Sequence, residues 1–388
     1  MRTKAMFIGL LVAGMTVLAG CNDDDANIEL TSANQTGATP ADNQGSTPGR
    51  GDSADGVEGV DEAFVGPALQ TEPAELDRSL NCTAFEHPDK PPVLLVHGTT
   101  VTGTEQFTTF YTPQLVALGF DVCIVTYPDR GLGDMQVSAE YVVHALRTIH
   151  AQTGRKIAMI GHSQGGVMPR WAIKYWPSAR AAVADFVMLA GVNHGTDVAL
   201  PAAVADSLTT FLGIDRFPVG FAPAVTYQFA RSSNFVAALN AGDETPGEID
   251  YTALYTLYDE LVRPVVVPEP TAALEYEQGN PKVANILLQD ICPGHVSEHF
   301  VIGTADSLAF ALALDAISND GPANVERAGG ASALCGLLPV DIAQIVMPGS
   351  AVGLLDVVAS TLREPEIGPN LTASEPPLMP YAQQPARP

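Results

Sequence analysis

The chain has 388 residues, 46% of them hydrophobic and 16% charged, a length and balance that suit one large domain or two small ones. Its formal net charge of -25 argues against nucleic acid as a partner, because phosphate binding needs clustered Lys and Arg. The acidity bears on solubility and says nothing about fold.

Arg2 and Lys4 precede the apolar run "AMFIGLLVAGMTV", which gives way to "LAGC" at 18–21. A charged start, a short apolar stretch and small residues before a cleavage point describe a secretory signal over 1–20, too short for a membrane span. The ending resembles a bacterial lipobox, in which cleavage leaves the cysteine as a lipid-bearing first residue. That resemblance assigns Cys21 to a membrane anchor, against the plainer reading of an ordinary signal with a chance cysteine. From there to about residue 74 the chain is rich in Asp, Gly, Ser, Thr and Pro, with Arg50 its only basic residue. Such a stretch cannot bury enough apolar surface to offset its ordering entropy, so residues 21–74 read as a disordered tether that holds a folded domain, 75–388, off the bilayer. The tail from Glu364 is too Pro-rich for a helix and is expected to wrap the surface.

Cys82, Cys123, Cys292 and Cys335 remain. An even number in an exported chain suggests disulfides, with three possible pairings. None of the four has the Cys-x-x-Cys spacing of zinc sites, so no metal is expected.

Between Pro91 and Ile317 the runs "PVLLVHG" (92–98), "FDVCIVTYP" (120–128), "KIAMIG" (156–161), "DFVMLAG" (185–191), "DYTALYTLYD" (250–259) and "VANILLQDI" (283–291) are short and mostly apolar, as buried parallel strands are. Segments with helical spacing lie between several of them, such as "VSAEYVVHALRTIHAQ" at 137–152. This alternation predicts an α/β fold with helices on both faces of a mostly parallel sheet, and catalytic groups at the carboxyl ends of its strands.

"GHSQG" (161–165) matches G-x-S-x-G between the strand "KIAMI" and the helix-like "VMPRWAIKYW". Small residues two before and two after Ser163 permit a tight strand-to-helix turn that pushes the serine out at a strand end. Ser163 is therefore the candidate nucleophile. Pro169 kinks the following helix unless it falls in the first turn. A serine needs a base to take its proton, and the usual chain order is nucleophile, acid, histidine. Asp259 ends the run "LYTLYD" and is the candidate acid; the alternative is an ordinary solvated carboxylate beside Glu260. The loop "CPGHVSEHF" (292–300) offers His295 and His299. His295 belongs to the Pro-Gly turn itself, whereas His299 lies between Glu298 and the helical run "ADSLAFALALDAI" and can project from a loop held at both ends. An acyl transfer also needs donors for an oxyanion. Gln164 supplies the N–H after the nucleophile, and Thr99 in "VHGTTVTG" offers an N–H and a hydroxyl.

Together "PVLLVHGTTVTG", "DMQVSAEYVVHAL", "SQGGVMPRWAIKYWPSAR", "LYTLYDELVRP" and "EPPLMPYA" resemble the lipase B family of α/β-hydrolases and its bacterial relatives, from about Cys82 to Ala382. The resemblance implies an α/β-hydrolase fold that cleaves carboxylic esters, triacylglycerols included, with neither metal nor cofactor. It implies the triad Ser163, Asp259 and His299, the oxyanion pair Thr99 and Gln164, and the bridges Cys82–Cys123 and Cys292–Cys335. Three features depart from it. His162 stands where the fungal members carry a tryptophan, so their alcohol selectivity is not carried over. The stretch 193–221, opening with "NHGT", diverges most and is either a mobile cover or a fixed packed insertion. The lipobox and the acidic tether lie outside the resemblance.

The sequence thus reads as an exported, membrane-anchored serine hydrolase with lipase or carboxylesterase activity, whose partners are a lipid or ester substrate and a bacterial membrane. Its rivals are a polyester depolymerase or acyltransferase, and a non-catalytic lipoprotein that binds apolar ligands. The apolar stretch at 337–360 is core helix for the most part, with acyl-pocket lining as its other possible role.

Overall fold

The computed structural model describes residues 28–32, 62–198, 221–266, 269–274, 279–336 and 371–383. In chain order its strands are β1 (Thr31–Ser32), β2 (Leu80–Cys82), β3 (Val93–Val96), β4 (Val122–Val125), β5 (Ile157–His162), β6 (Val183–Leu189), β7 (Ala222–Pro223), β8 (Asp250–Tyr255), β9 (Val283–Leu287) and β10 (Leu371–Thr372). Eight form one sheet in the order β1-β2-β4-β3-β5-β6-β8-β9, while β7 and β10 pair separately. The six strands from β4 to β9 run parallel, and β2 and β1 close one edge antiparallel.

Every residue of β3, β4 and β5 is buried, and strand alternation splits them between two cores. Leu94, Val96, Cys123, Val125 and Met159 face one layer with the helices Met135–Thr153 and Met168–Tyr175. Val93, Leu95, Val122, Ile124 and Ile160 face the other, with Gly103–Phe107, Tyr111–Ala117 and Ser307–Ser318. Helices therefore cover both faces, as the alternating sequence requires. The long helix starts where Asp134 accepts the Gln136 N–H and stops at Gly154, whose φ of 66° closes a left-handed cap.

Two runs leave the sheet earlier than their apolar length suggests. β8 ends at Tyr255, because Thr256–Val262 makes a turn of its own. β9 ends at Leu287, and the apolar run continues as a helical turn, Leu288–Ile291. The strands β2 and β1, of three and two residues, are too short to show a strand period in the sequence.

Thr31 and Ser32, expected within the tether, pair with Cys82 and Asn81. They satisfy backbone groups that β2 would otherwise leave open at the sheet edge. Docking also begins before residue 75: Glu140 accepts the N–H groups of Gln70 and Thr71 at 2.8 Å each, and the Trp176 indole donates to Pro67 O at 2.7 Å. Residues 1–27 and 33–61 of the expected signal and tether, Cys21 among them, lie outside the described residues, as do 199–220 and 337–360.

Both disulfides join the pairs implied by the family resemblance, Cys82–Cys123 and Cys292–Cys335. The first links facing positions of β2 and β4. Each spans a sequence separation of 41 or 43 residues, which on the chain-entropy account contributes about 4 kcal/mol. The tail does wrap the body. Gln136 accepts the Met379 N–H at 2.7 Å and donates to Pro377 O at 3.1 Å, while the Tyr381 ring packs among Trp171, Tyr175 and Trp176.

Candidate active site

Ser163 follows the last residue of β5 with φ of 54°, a left-handed conformation that costs energy for any residue with a Cβ. Its neighbours show why the turn needs glycine. A Cβ on Gly161 would lie 2.0 Å from Gly165 O, and one on Gly165 would lie 2.1 Å from Val96 O. A short 3-10 turn, Ser163–Gly166, then leads into the helix Met168–Tyr175. Pro169 falls in that helix's first turn, where an absent N–H leaves no bond unmade, so it introduces no kink.

Asp259 lies four residues beyond β8 and is 2% exposed. One carboxylate oxygen, Oδ1, accepts the N–H groups of Leu261 (2.9 Å) and Val262 (2.7 Å). The other, Oδ2, lies 2.9 Å from His299 Nδ1. A carboxylate only accepts, so the imidazole proton sits on Nδ1 and the lone pair on Nε2. That nitrogen lies 2.9 Å from Ser163 Oγ. Serine, histidine and carboxylate form one unbroken line.

His299 is the first residue of the helix His299–Thr304 rather than part of the preceding loop, and Glu298 caps it by accepting the N–H groups of Phe300 and Val301. His295 is turned away: its Nε2 lies 2.7 Å from Asp306 Oδ2, and Asp306 caps the helix Ser307–Ser318. Burial opposes the charging of His299, but the hydrogen bond and charge of Asp259, aided by Glu260 and Glu298, outweigh it and hold its pKa above 6.5.

Thr99 and Gln164 are brought together. The Thr99 hydroxyl donates to Gln164 Oε1 at 3.1 Å, and the Gln164 amide donates to Gly131 O at 3.0 Å. In this arrangement the Thr99 hydroxyl is engaged by Gln164. Gln164 N–H stands in the first turn of a helix, where amides have no intrahelical acceptor.

A sequence model of the class 2 lipases matches residues 90–291, which include Ser163 and Asp259. Lipase B of Pseudozyma antarctica is 30% identical over 324 residues, 82% of this chain and 86% of that protein. The chain belongs to the class 2 lipases. Among solved structures, lipase B of Aspergillus fumigatus superposes with a TM-score of 0.69 at 26% identity, covering 86% of this chain and 77% of that one. The protein is accordingly a lipase-like serine hydrolase of carboxylic esters on an α/β-hydrolase fold. Its two disulfides suit an oxidising compartment outside the cytosol.

Several residues that hold this lipase's site together escaped the sequence reading. Thr256 donates to Ser297 O at 2.7 Å, and Gln289 reaches both Thr256 Oγ1 (3.0 Å) and His295 O (2.9 Å), zipping the acid loop to the histidine loop. Thr196, from "NHGT", donates to Leu261 O at 2.6 Å and accepts the Arg263 N–H at 3.1 Å, bracing the turn that carries Asp259. Gln106 accepts the Gly98 N–H at 2.8 Å and donates to Gly303 O at 3.1 Å. These bonds join residues up to 197 positions apart, a separation that leaves no local pattern to read.

Proposed function

We propose that Ser163 is the nucleophile, His299 its general base and Asp259 the acid that orients the base, acting on carboxylic esters of lipids. The observation that carries this reading is the continuous hydrogen-bonded line from Asp259 Oδ2 through His299 to Ser163 Oγ. His299 Nε2 takes the hydroxyl proton as Ser163 Oγ attacks the ester carbonyl. The N–H groups of Thr99 and Gln164 hold the oxyanion that develops. When the C–O bond breaks, the same proton passes from His299 to the departing alcohol, leaving an acyl-enzyme. Water attacks that ester in a second round, with His299 again as base, and the acid is released. Asp259 stabilises the imidazolium formed in each round and keeps its own charge.

A fluorophosphonate probe tests this reading together with a panel of p-nitrophenyl and triacylglycerol esters of increasing chain length. The expected result is stoichiometric labelling at Ser163 with turnover of lipid esters. An unlabelled Ser163 with no turnover indicates instead a lipoprotein that binds apolar ligands, and preferential release from polyester film indicates a depolymerase.

The same reading makes residues 1–20 a cleaved signal and Cys21 a lipidated anchor that keeps the enzyme at a bacterial membrane. Because Thr31 docks on β2, nine residues separate Cys21 from the nearest described residue of that strand pair. Fully extended, they reach about 30 Å, so the sheet edge sits close to the bilayer surface. Attachment by one diacylglycerol plus an N-acyl chain exceeds the single chain that holds only marginally. Cys21→Ser is expected to block lipoprotein processing, and intact mass of the wild type to show lipid on Cys21. A wild-type product cleaved elsewhere and free of lipid overturns the anchor.

A further inference from the structure

His162 is neither the nucleophile, the base nor the acid, yet it precedes the nucleophile in the chain and its ring meets the segment that carries the base. It is 3% exposed and stands directly before Ser163 in the chain. Its Nε2 lies 2.8 Å from His299 O, and the two imidazole centroids are 4.9 Å apart. A carbonyl oxygen only accepts, so Nε2 carries the proton and donates. Two glycines make room for the ring. A Cβ on Gly303, in the helix headed by His299, would lie 2.1 Å from His162 Cδ2, and one on Gly98, beside Thr99, would lie 2.9 Å from Nδ1.

His162 Nδ1 is buried and has no hydrogen-bond partner among the described residues. A buried orphan lone pair is unfavourable, and an apolar side chain of similar size would avoid it. What the imidazole adds over that side chain is the one N–H given to His299 O. Burial, helped by the nearby His299 charge, lowers the His162 pKa to about 3, so this donor does not change over the pH range in which His299 titrates.

We infer that His162 is a positioning residue that pins the base to the nucleophile, through a hydrogen bond from the elbow to the main-chain carbonyl of His299. The inference rests on the roles proposed above for Ser163 and His299. The peptide groups of His299 are then gripped at both ends. Its N–H donates to Glu260 Oε2 at 3.2 Å, and its C=O accepts from His162 Nε2 at 2.8 Å. Its ring is gripped by Asp259 and Ser163. Gln106 ties the Gly98 loop to the same helix in parallel. With four holds on one residue, the 2.9 Å separation between His299 Nε2 and Ser163 Oγ is set before substrate arrives.

The test compares His162→Leu, His162→Gln and His162→Asn in the full chain by single-turnover acylation with a p-nitrophenyl ester, steady-state kcat and KM, and the pH profile of kcat/KM. Gln can place an amide donor near the Nε2 position; Asn reaches only about as far as Nδ1, and Leu donates nothing. For Leu, acylation is expected to fall about a hundredfold, the loss that a misplacement on the order of 1 Å produces, with KM little changed. Its acid limb should move to lower pH. The titratable groups that face His299 are Asp259, Glu260, Glu298 and His162, and a base that drifts from its carboxylates loses what raises its pKa. Gln should recover most of the rate and the profile, and Asn should not. A folded Leu variant with wild-type acylation and an unshifted profile overturns the inference, and so does a Gln variant no faster than Asn. The Gln and Asn pair carries the test where Leu does not fold. Fluorophosphonate mapping of the wild type keeps the two failures apart: no label on Ser163 removes the underlying reading, whereas normal labelling with indifferent His162 variants removes only this one.

Discussion

Replacing Ser163 with alanine should abolish ester hydrolysis and leave the fold intact. The expected loss is at least about a thousandfold and approaches about a millionfold, the range seen when a triad serine is removed. The backbone tolerates the substitution. The elbow requires φ of 54° at this position, and alanine carries the same Cβ as serine, so the steric demand is unchanged. Only the Oγ–H is lost, and with it the 2.9 Å bond to His299 Nε2. That bond is worth about 1 kcal/mol net, and Gly161 and Gly165 still allow the turn, so the melting temperature should stay near wild type. Kinetics with a p-nitrophenyl ester and a thermal melt decide the matter. A folded alanine variant that keeps more than about a thousandth of the activity places the nucleophile elsewhere.

The elbow was legible because its signal is local: a strand, a five-residue turn whose glycines are sterically forced, and a helix all lie within about twenty residues of chain. β3, β4, β5, β6 and β8 were legible for a related reason, since a strand covered on both faces reads as an unbroken apolar run. The same rule misled where such a run outlasts its strand. "VANILLQDI" stays apolar through Leu288–Ile291, yet there the chain turns helical, and nothing in apolarity alone separates the two states. β1 and β2 are too short to show a period. Composition reads residues 21–74 as a stretch without its own core, and it gives no sign that Thr31 and Ser32 find a partner on the sheet edge. The site divides in the same way. Asp259 and Ser163 stand at predictable addresses beyond strand ends, whereas the residues that fix their spacing, Thr196, Gln106 and Gln289, act across long separations. Their types, Thr and Gln, are unremarkable in sequence and become informative only when both ends of each bond are known.

The two histidines of the 292–300 loop should separate cleanly by mutation, in two different observables. His299→Ala is expected to lose about a thousandfold or more in single-turnover acylation, as removal of a triad base does, whereas His295→Ala should lose roughly tenfold at most. A general base works only when neutral. The His299 pKa is held above 6.5, against the effect of burial, by Asp259, Glu260 and Glu298, so wild-type kcat/KM should fall as pH drops through a value above 6.5. His295→Ala should keep that limb. Its own effect belongs to stability. The hydrogen bond from His295 to Asp306 raises the histidine's pKa above 6.5, more than burial lowers it. A group whose folded pKa is raised contributes its full stabilisation below the unfolded pKa, and that contribution fades as pH climbs through the folded value. The melting-temperature gap between wild type and His295→Ala should therefore be widest below about pH 6.5 and close as the medium becomes alkaline. Asp306 still accepts the Leu308 and Ala309 N–H groups through Oδ1, so the helix cap survives and the variant stays folded. If His295→Ala loses the activity and His299→Ala keeps it, the base is His295 and the line from Asp259 to Ser163 is not the catalytic one.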